Sequence, residues 1–75
     1  APNSGDVMHN YGWFLCQRKR FPESYALFDR AEAVPQYREA GKTVMAKGVC
    51  QARSGDMPGA EKTLARAYQI EPGES

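Results

Sequence analysis

The chain repeats itself, and the repeat leaves few folds open to it. Gly12 recurs as Gly48, Pro22 as Pro58, and the pair Arg30-Ala31 as Arg66-Ala67, all at one offset, 48 − 12 = 36. Apolar positions keep the same offset: Phe21 with Met57, Phe28 with Leu64, Val34 with Ile70. Within each copy the apolar residues step by three and four, which is the helical period, and no stretch alternates as a strand would. A period of this size is that of stacked helical hairpins, whose usual work is to hold a partner along an extended surface.

Local signals divide the chain into four helices. Pro2-Asn3-Ser4-Gly5 is rich in breakers, and Ser4 or Asp6 offers an oxygen to cap a first helix running to about Arg18. Val7, Met8, Tyr11, Phe14 and Leu15 form its apolar stripe. Gly12 lies inside that helix, where glycine costs about 1 kcal/mol relative to alanine, and close approach of a second helix is the simplest reason for it. Phe21-Pro22 opens the second helix, since proline is tolerated in a first turn. Tyr25, Ala26, Leu27, Phe28, Ala31 and Val34 give it a buried face, and Pro35 stops it. The third helix is expected from near Tyr37 to Ser54, with Val44, Met45, Gly48, Val49 and Ala52 in its stripe and Gly41 bending its first turn or marking its true start. Gly55 takes the left-handed cap position and Asp56 caps the fourth helix, with Pro58 in its first turn. Ala60, Leu64, Ala67, Tyr68 and Ile70 are its buried side, and Pro72-Gly73 closes it. No interval needs a long structureless loop.

Composition bounds the function. Seventy-five residues make one small domain with a marginal core. A net charge of +1 gives no broad field for nucleic acid. The run Arg18-Lys19-Arg20 is too short for a basic stripe and reads as a solvated turn, contact with anionic lipid being the lesser reading. No apolar run approaches the roughly 18 residues needed to cross a bilayer. The opening Ala1-Pro2-Asn3, without methionine, is expected of a piece cut from something longer, so the missing signal peptide says nothing about the parent. His9 is the single histidine, with no serine or cysteine beside it in a nucleophile motif, and no cluster has metal-ligand spacing. The expectation is therefore a protein that is not an enzyme, with no catalytic residues, no cofactor and no metal.

These residues resemble the tetratricopeptide (TPR) pattern. Repeat one supplies Gly12, Phe21, Ser24, Phe28, Ala31 and Pro35; repeat two supplies Gly48, Gly55, Met57, Ala60, Leu64, Ala67 and Pro72. The likeness implies an all-α, two-repeat solenoid fragment of four antiparallel helices. Repeat one spans 5–36 and repeat two 37–72, with flexible ends at 1–4 and 73–75. There are departures. The period is 36 rather than about 34. Lys19 stands where glycine is usual, and Lys47 and Gln51 replace apolar positions. A narrower likeness rests on Asn10-Tyr11-Gly12-Trp13-Phe14-Leu15-Cys16, Arg20-Phe21, the extended linker, Gly48-Val49-Cys50 and Gly55-Asp56. This is similar to the PilF/PilW pilotin lipoproteins of type IV pili, periplasmic TPR solenoids anchored by lipid to the outer membrane.

In that family pattern the residue after the small glycine turns to the concave groove. This places Trp13 there, with His9, Asn10, Gln17, Met45, Val49 and Arg53 on the same face and Lys42 at its edge. Trp13 reads either as an anchor for a partner, tryptophan being enriched at hot spots, or as packing against the next helix near Val49. Singly, its polar neighbours read more readily as solvated surface. The carboxylate clamp of chaperone-binding TPR modules is not present, since its positions hold His9, Trp13 and Ala46. Cys16 and Cys50 lie on neighbouring first helices and have two readings. They are small buried hydrophobes, or they form a disulfide, which needs Cα atoms within about 7 Å and an oxidising compartment.

The resemblance implies a protein–protein scaffold in type IV pilus biogenesis, assisting secretin assembly or pilus stability. It would be periplasmic and outer-membrane associated, reaching the membrane only through a lipid anchor outside this chain. Its partner would be a secretin subunit or another pilus component, not nucleic acid. The alternatives are a generic TPR adaptor of another assembly, or a regulatory TPR fragment of a larger enzyme or sensor. Two repeats fall short of the three usually needed, so self-association is expected at high concentration, helix exchange between chains being one route.

Overall fold

In a computed structural model that describes residues 5–34 and 39–70, helices follow one another as α1 (Gly5–Gln17), α2 (Phe21–Glu32), α3 (Ala40–Ser54) and α4 (Met57–Ile70). The protein is all-α, with no strand among the described residues. α1 packs on α2 and α3 on α4, while α3 also lies along α2 and joins the two hairpins. The result is a slab with Cα extents of 32 × 27 × 14 Å. Asp6 sits within the first turn of α1 rather than ahead of it. α3 begins at Ala40, later than the expected start near Tyr37, and Gly41 lies buried in its first turn. The stretches 1–4, Pro35 to Arg38 and 71–75 lie outside the described residues, and with them Ser4, Tyr37, both closing prolines and the expected flexible ends.

The sequence repeat is a repeat of hydrogen bonds. At the end of α1 the Lys19 N–H donates to the Cys16 carbonyl at 2.9 Å and the Arg20 N–H to the Leu15 carbonyl at 2.9 Å. At the end of α3 the Gly55 N–H donates to Ala52 at 3.1 Å and the Asp56 N–H to Gln51 at 2.9 Å. This is the same Schellman closure, 36 residues apart. It demands a left-handed residue at one position, and Lys19 (φ 66°) and Gly55 (φ 95°) both supply it. The following helices open alike as well, with Ser24 N–H to Arg20 and Ala60 N–H to Asp56. Asp56 also caps α4, its Oδ1 accepting from the Gly59 N–H at 3.0 Å, whereas Arg20 makes no side-chain cap.

Inside each hairpin one small residue faces one large one. A Cβ at Gly12 would stand 2.8 Å from Cε1 of Phe28, and one at Gly48 would stand 2.7 Å from Cδ2 of Leu64. Glycine lets the helices close, and Phe28 fills the space completely. Ala31 and Ala67 are buried at their matching positions, as are Ser24 and Ala60. The Ser24 hydroxyl, itself buried, donates to the Gly12 carbonyl at 2.7 Å and so satisfies a polar group the hairpin removes from water. Phe28 joins Cys16 and Cys50 at the centre, with Trp13, Phe21, Tyr25 and Ala46 packed around them. Burying a phenylalanine fully stabilises the fold by about 1.5–3 kcal/mol.

Apolar stripes and buried faces do not coincide throughout. Val7, Tyr11 and Phe14 of α1 are exposed, as are Met45, Met57, Leu64 and Tyr68. Each hairpin covers only the sector of a helix that faces its neighbour. Lys47, at a position expected to be apolar, keeps its side chain largely covered and sets Nζ 2.9 Å from Oδ1 of Asp29. Arg66 of α4 donates to both carboxylate oxygens of Glu32 of α2 through its two terminal guanidinium nitrogens, and Tyr25 donates from its hydroxyl to Ser54 at 3.2 Å.

Candidate partner-binding site

Two cross-links fix how α1 and α3 lie together. Nδ1 of His9 is 2.8 Å from Oγ1 of Thr43. Further along, a disulfide joins Cys16 to Cys50, with Cα atoms 6.0 Å apart. The step from the first pair to the second is seven residues on each helix, 16 − 9 = 50 − 43 = 7. Seven residues are close to two turns, so one face of α1 meets one face of α3 and the helices run parallel. Both thiols of the sequence are thereby accounted for, and among the described residues no cysteine is free.

Beside this seam lies a groove of about 290 Å³, lined by His9, Asn10, Trp13, Lys42, Met45, Ala46 and Val49. Its lining is mostly apolar, with polar atoms at the edges, as ligand-binding clefts are. Six of the eight residues expected on this face line the cleft. Arg53 takes part through its guanidinium, 5.4 Å from the centroid of the Trp13 ring. Such a contact contributes about 0.5–1 kcal/mol at an exposed site. Gln17, the last residue of α1, is exposed and does not line the cleft. Ala46 lines it without having been expected to. It stands one turn from Lys42 and from Val49, so the helical period already placed it on that stripe.

Trp13 is half-buried and packs against the Phe28–Cys16–Cys50 centre while also lining the cleft. Packing against the core thus leaves part of the ring open to the cleft. His9 is half-buried rather than simply exposed on the concave side, because α3 comes close enough for Thr43 to reach it. Its ring also tilts against Phe28 at 5.7 Å between centroids. Burial lowers the His9 pKa, aided by Lys42 and opposed by Asp6 and Glu39. The imidazole is accordingly neutral at pH 7, and the charge at the cleft comes from side chains at its ends. Thr43 is fully buried, so its hydroxyl serves the contact between helices and is out of reach of a substrate.

Elsewhere the surface is plainer. Lys42 pairs with Glu39 at 3.3 Å on an exposed turn, and Arg20 with Glu23 at 3.1 Å. Exposed pairs of this kind contribute little. Arg18 lies over the Phe14 ring at 5.5 Å. No described helix is long and apolar enough to cross a membrane.

Comparison with known proteins adds one relative. The chain is 31% identical over 67 residues to an uncharacterised protein of Haemophilus influenzae, a match covering 89% of this chain and 37% of that protein. The chain thus spans well under half the length of this relative. No family model matches the sequence, and no solved structure matches it significantly.

Proposed function

We propose that the chain is part of a TPR solenoid that holds a protein segment in the groove between α1 and α3. More narrowly, we propose a type IV pilus pilotin of the PilF/PilW kind, assisting secretin assembly or pilus stability. The observation that carries the scaffold reading is the cleft itself: an apolar channel of about 290 Å³ with Trp13 half-open to it and Arg53 set over the indole. Rigid, partly desolvated aromatics of this kind dominate binding energy at protein interfaces.

Two further features support the reading. Both hairpins close with one motif and pack one small residue against one large one, as TPR hairpins are expected to. The Cys16–Cys50 disulfide belongs to the chemistry of an oxidising compartment, which suits a periplasmic, outer-membrane-associated parent. The partner would be a secretin subunit or another pilus component, and the membrane would be reached through a lipid anchor outside this chain.

The test is capture of the secretin from outer-membrane extract by the full parent protein and by its Trp13→Ala variant. Capture by the wild type, with a loss of at least ~30-fold in affinity in the folded variant, is the expected result. Capture by both retains the pilotin and moves the contact away from Trp13. Capture by neither removes the pilotin reading and leaves a TPR adaptor of another assembly.

A further inference from the structure

The two ends of the slab carry complementary faces, and the seam between the hairpins shows how they match. α3 docks on the first hairpin through five contacts: His9 with Thr43, Cys16 with Cys50, Tyr25 with Ser54, Asp29 with Lys47, and Glu32 with Arg66 from α4. Because the hairpins repeat at 36 residues, each contact can be carried one hairpin onward. The receiving residue moves up by 36 and the incoming residue moves down by 36.

The receiving residues become Met45, Ala52, Glu61, Ala65 and Tyr68, and the incoming ones become Val7, Phe14, Arg18, Tyr11 and Arg30, in the same order. Every resulting pair is compatible. Val7 meets Met45, Phe14 meets Ala52 and Tyr11 meets Ala65, all apolar. Arg18 meets Glu61 with opposite charge. Arg30 meets the ring of Tyr68, a cation–π pairing. No like charges face one another.

Both sets lie open. Val7, Tyr11 and Phe14 are 58%, 53% and 51% exposed, and Tyr68 is 75% exposed. On the receiving side a second cleft of about 370 Å³ runs between Ala52, Met57, Glu61 and Leu64, where the incoming α1 would lie. At the matching place on the first hairpin, α3 already fills the equivalent space.

We propose that copies of this chain associate head to tail, the Val7–Tyr11–Phe14 face of one docking on the α3–α4 cleft of the next. The docking face meets the Trp13 groove at Met45, which lies on both. Docking of this kind replaces helix exchange as the route to self-association, because each copy keeps its own four helices. A head-to-tail contact leaves one free face at each end of a dimer, so assemblies grow beyond it. The contact rests on one face of a single helix, so weak, concentration-dependent association is the expected range.

The experiment is sedimentation of the oxidised chain from about 10 µM to about 1 mM, where weak contacts of this size assemble. The wild type should show an average mass that rises from the 8.3 kDa monomer without a plateau at the dimer. Arg18→Glu and Glu61→Arg each place like charges across the contact and should weaken association at least ~10-fold. An equimolar mixture of the two variants restores opposite charges at every junction and should associate as the wild type does. Both positions are exposed, and circular dichroism checks that each variant is folded. A wild type that stays monomeric at about 1 mM overturns the proposal and assigns these faces to a different chain segment or partner. Single variants that associate like the wild type, or a mixture that does not, overturn it equally.

Discussion

Reducing the Cys16–Cys50 disulfide should cost this chain a third or more of its stability, at roughly 4 kcal/mol. The bond closes a loop of 34 residues between hairpins that otherwise meet where α3 lies against α2 and α1. Loop-closure entropy for that length gives a loss of about 4 kcal/mol on reduction. A domain of this size is stable by roughly 4–11 kcal/mol in all. Cys16 and Cys50 are 2% and 0% exposed, so reduction leaves no hole and exposes no polar group. The loss therefore arises in the freedom regained by the unfolded chain. Unfolding entropy of about 2.1 cal/mol/K per residue converts 4 kcal/mol into a fall in Tm of about 25 °C. The assay is thermal unfolding followed by circular dichroism at 222 nm, with and without a phosphine reductant, and with mass spectrometry to verify the gain of two hydrogens. A verified reduction that lowers Tm by less than about 5 °C would refute the reasoning, because the seam would then be holding the hairpins without help from the bond.

Lys19 occupies a left-handed conformation that glycine occupies in the second hairpin, so Lys19→Gly should stabilise the fold by about 0.5–1 kcal/mol in urea titrations. Gly12→Ala should destabilise by about 1–3 kcal/mol, since its Cβ meets the enclosed Phe28 ring. Gly48→Ala should cost less, because Leu64 is 37% exposed and can swing aside; equal losses would show that Leu64 is not free to move. His9 has a folded pKa lowered chiefly by burial, so the unfolded chain binds its proton more tightly than the folded one does. The contribution is fully present above the unfolded value of 6.5 and is lost as pH falls from there through the folded pKa. Tm measured from pH 7.5 to 5.5 should decline, and His9→Gln should flatten that decline.

The hairpins were legible because their constraints are local. Gly12 and Gly48 mark close approach, Gly55-Asp56 marks a stop and a start, and Phe28 marks the space a small residue leaves. The groove was largely legible for a related reason: once α1 and α3 repeat one another, the residue beside each glycine falls on a common side. What periodicity could not decide was which apolar residues would be covered. The stripe of α1 is wider than the sector α2 and α3 reach, so Val7, Tyr11 and Phe14 remain in water while Leu15 does not. Contacts between hairpins were also hidden. Nothing in the local pattern tells that Thr43 would reach His9, or that Lys47 would find Asp29 and so tolerate an otherwise apolar site. Gln51 keeps a buried side-chain oxygen without a hydrogen-bond partner where the first hairpin has Leu15, a departure the structure does not explain.

The slab is fastened differently along its two long edges. The edge formed by α1 and α3 is sewn by a covalent bond, whereas the edge formed by α2 and α4 is held by the solvent-accessible grip of Arg66 on Glu32. Salt screens the second and leaves the first untouched. The molecule thus behaves like a book with a stitched spine and a loose fore-edge. Salt weakens the Arg66–Glu32 contact, itself a small contribution, while the spacing of α1 and α3 at the Cys16–Cys50 bond does not respond to it.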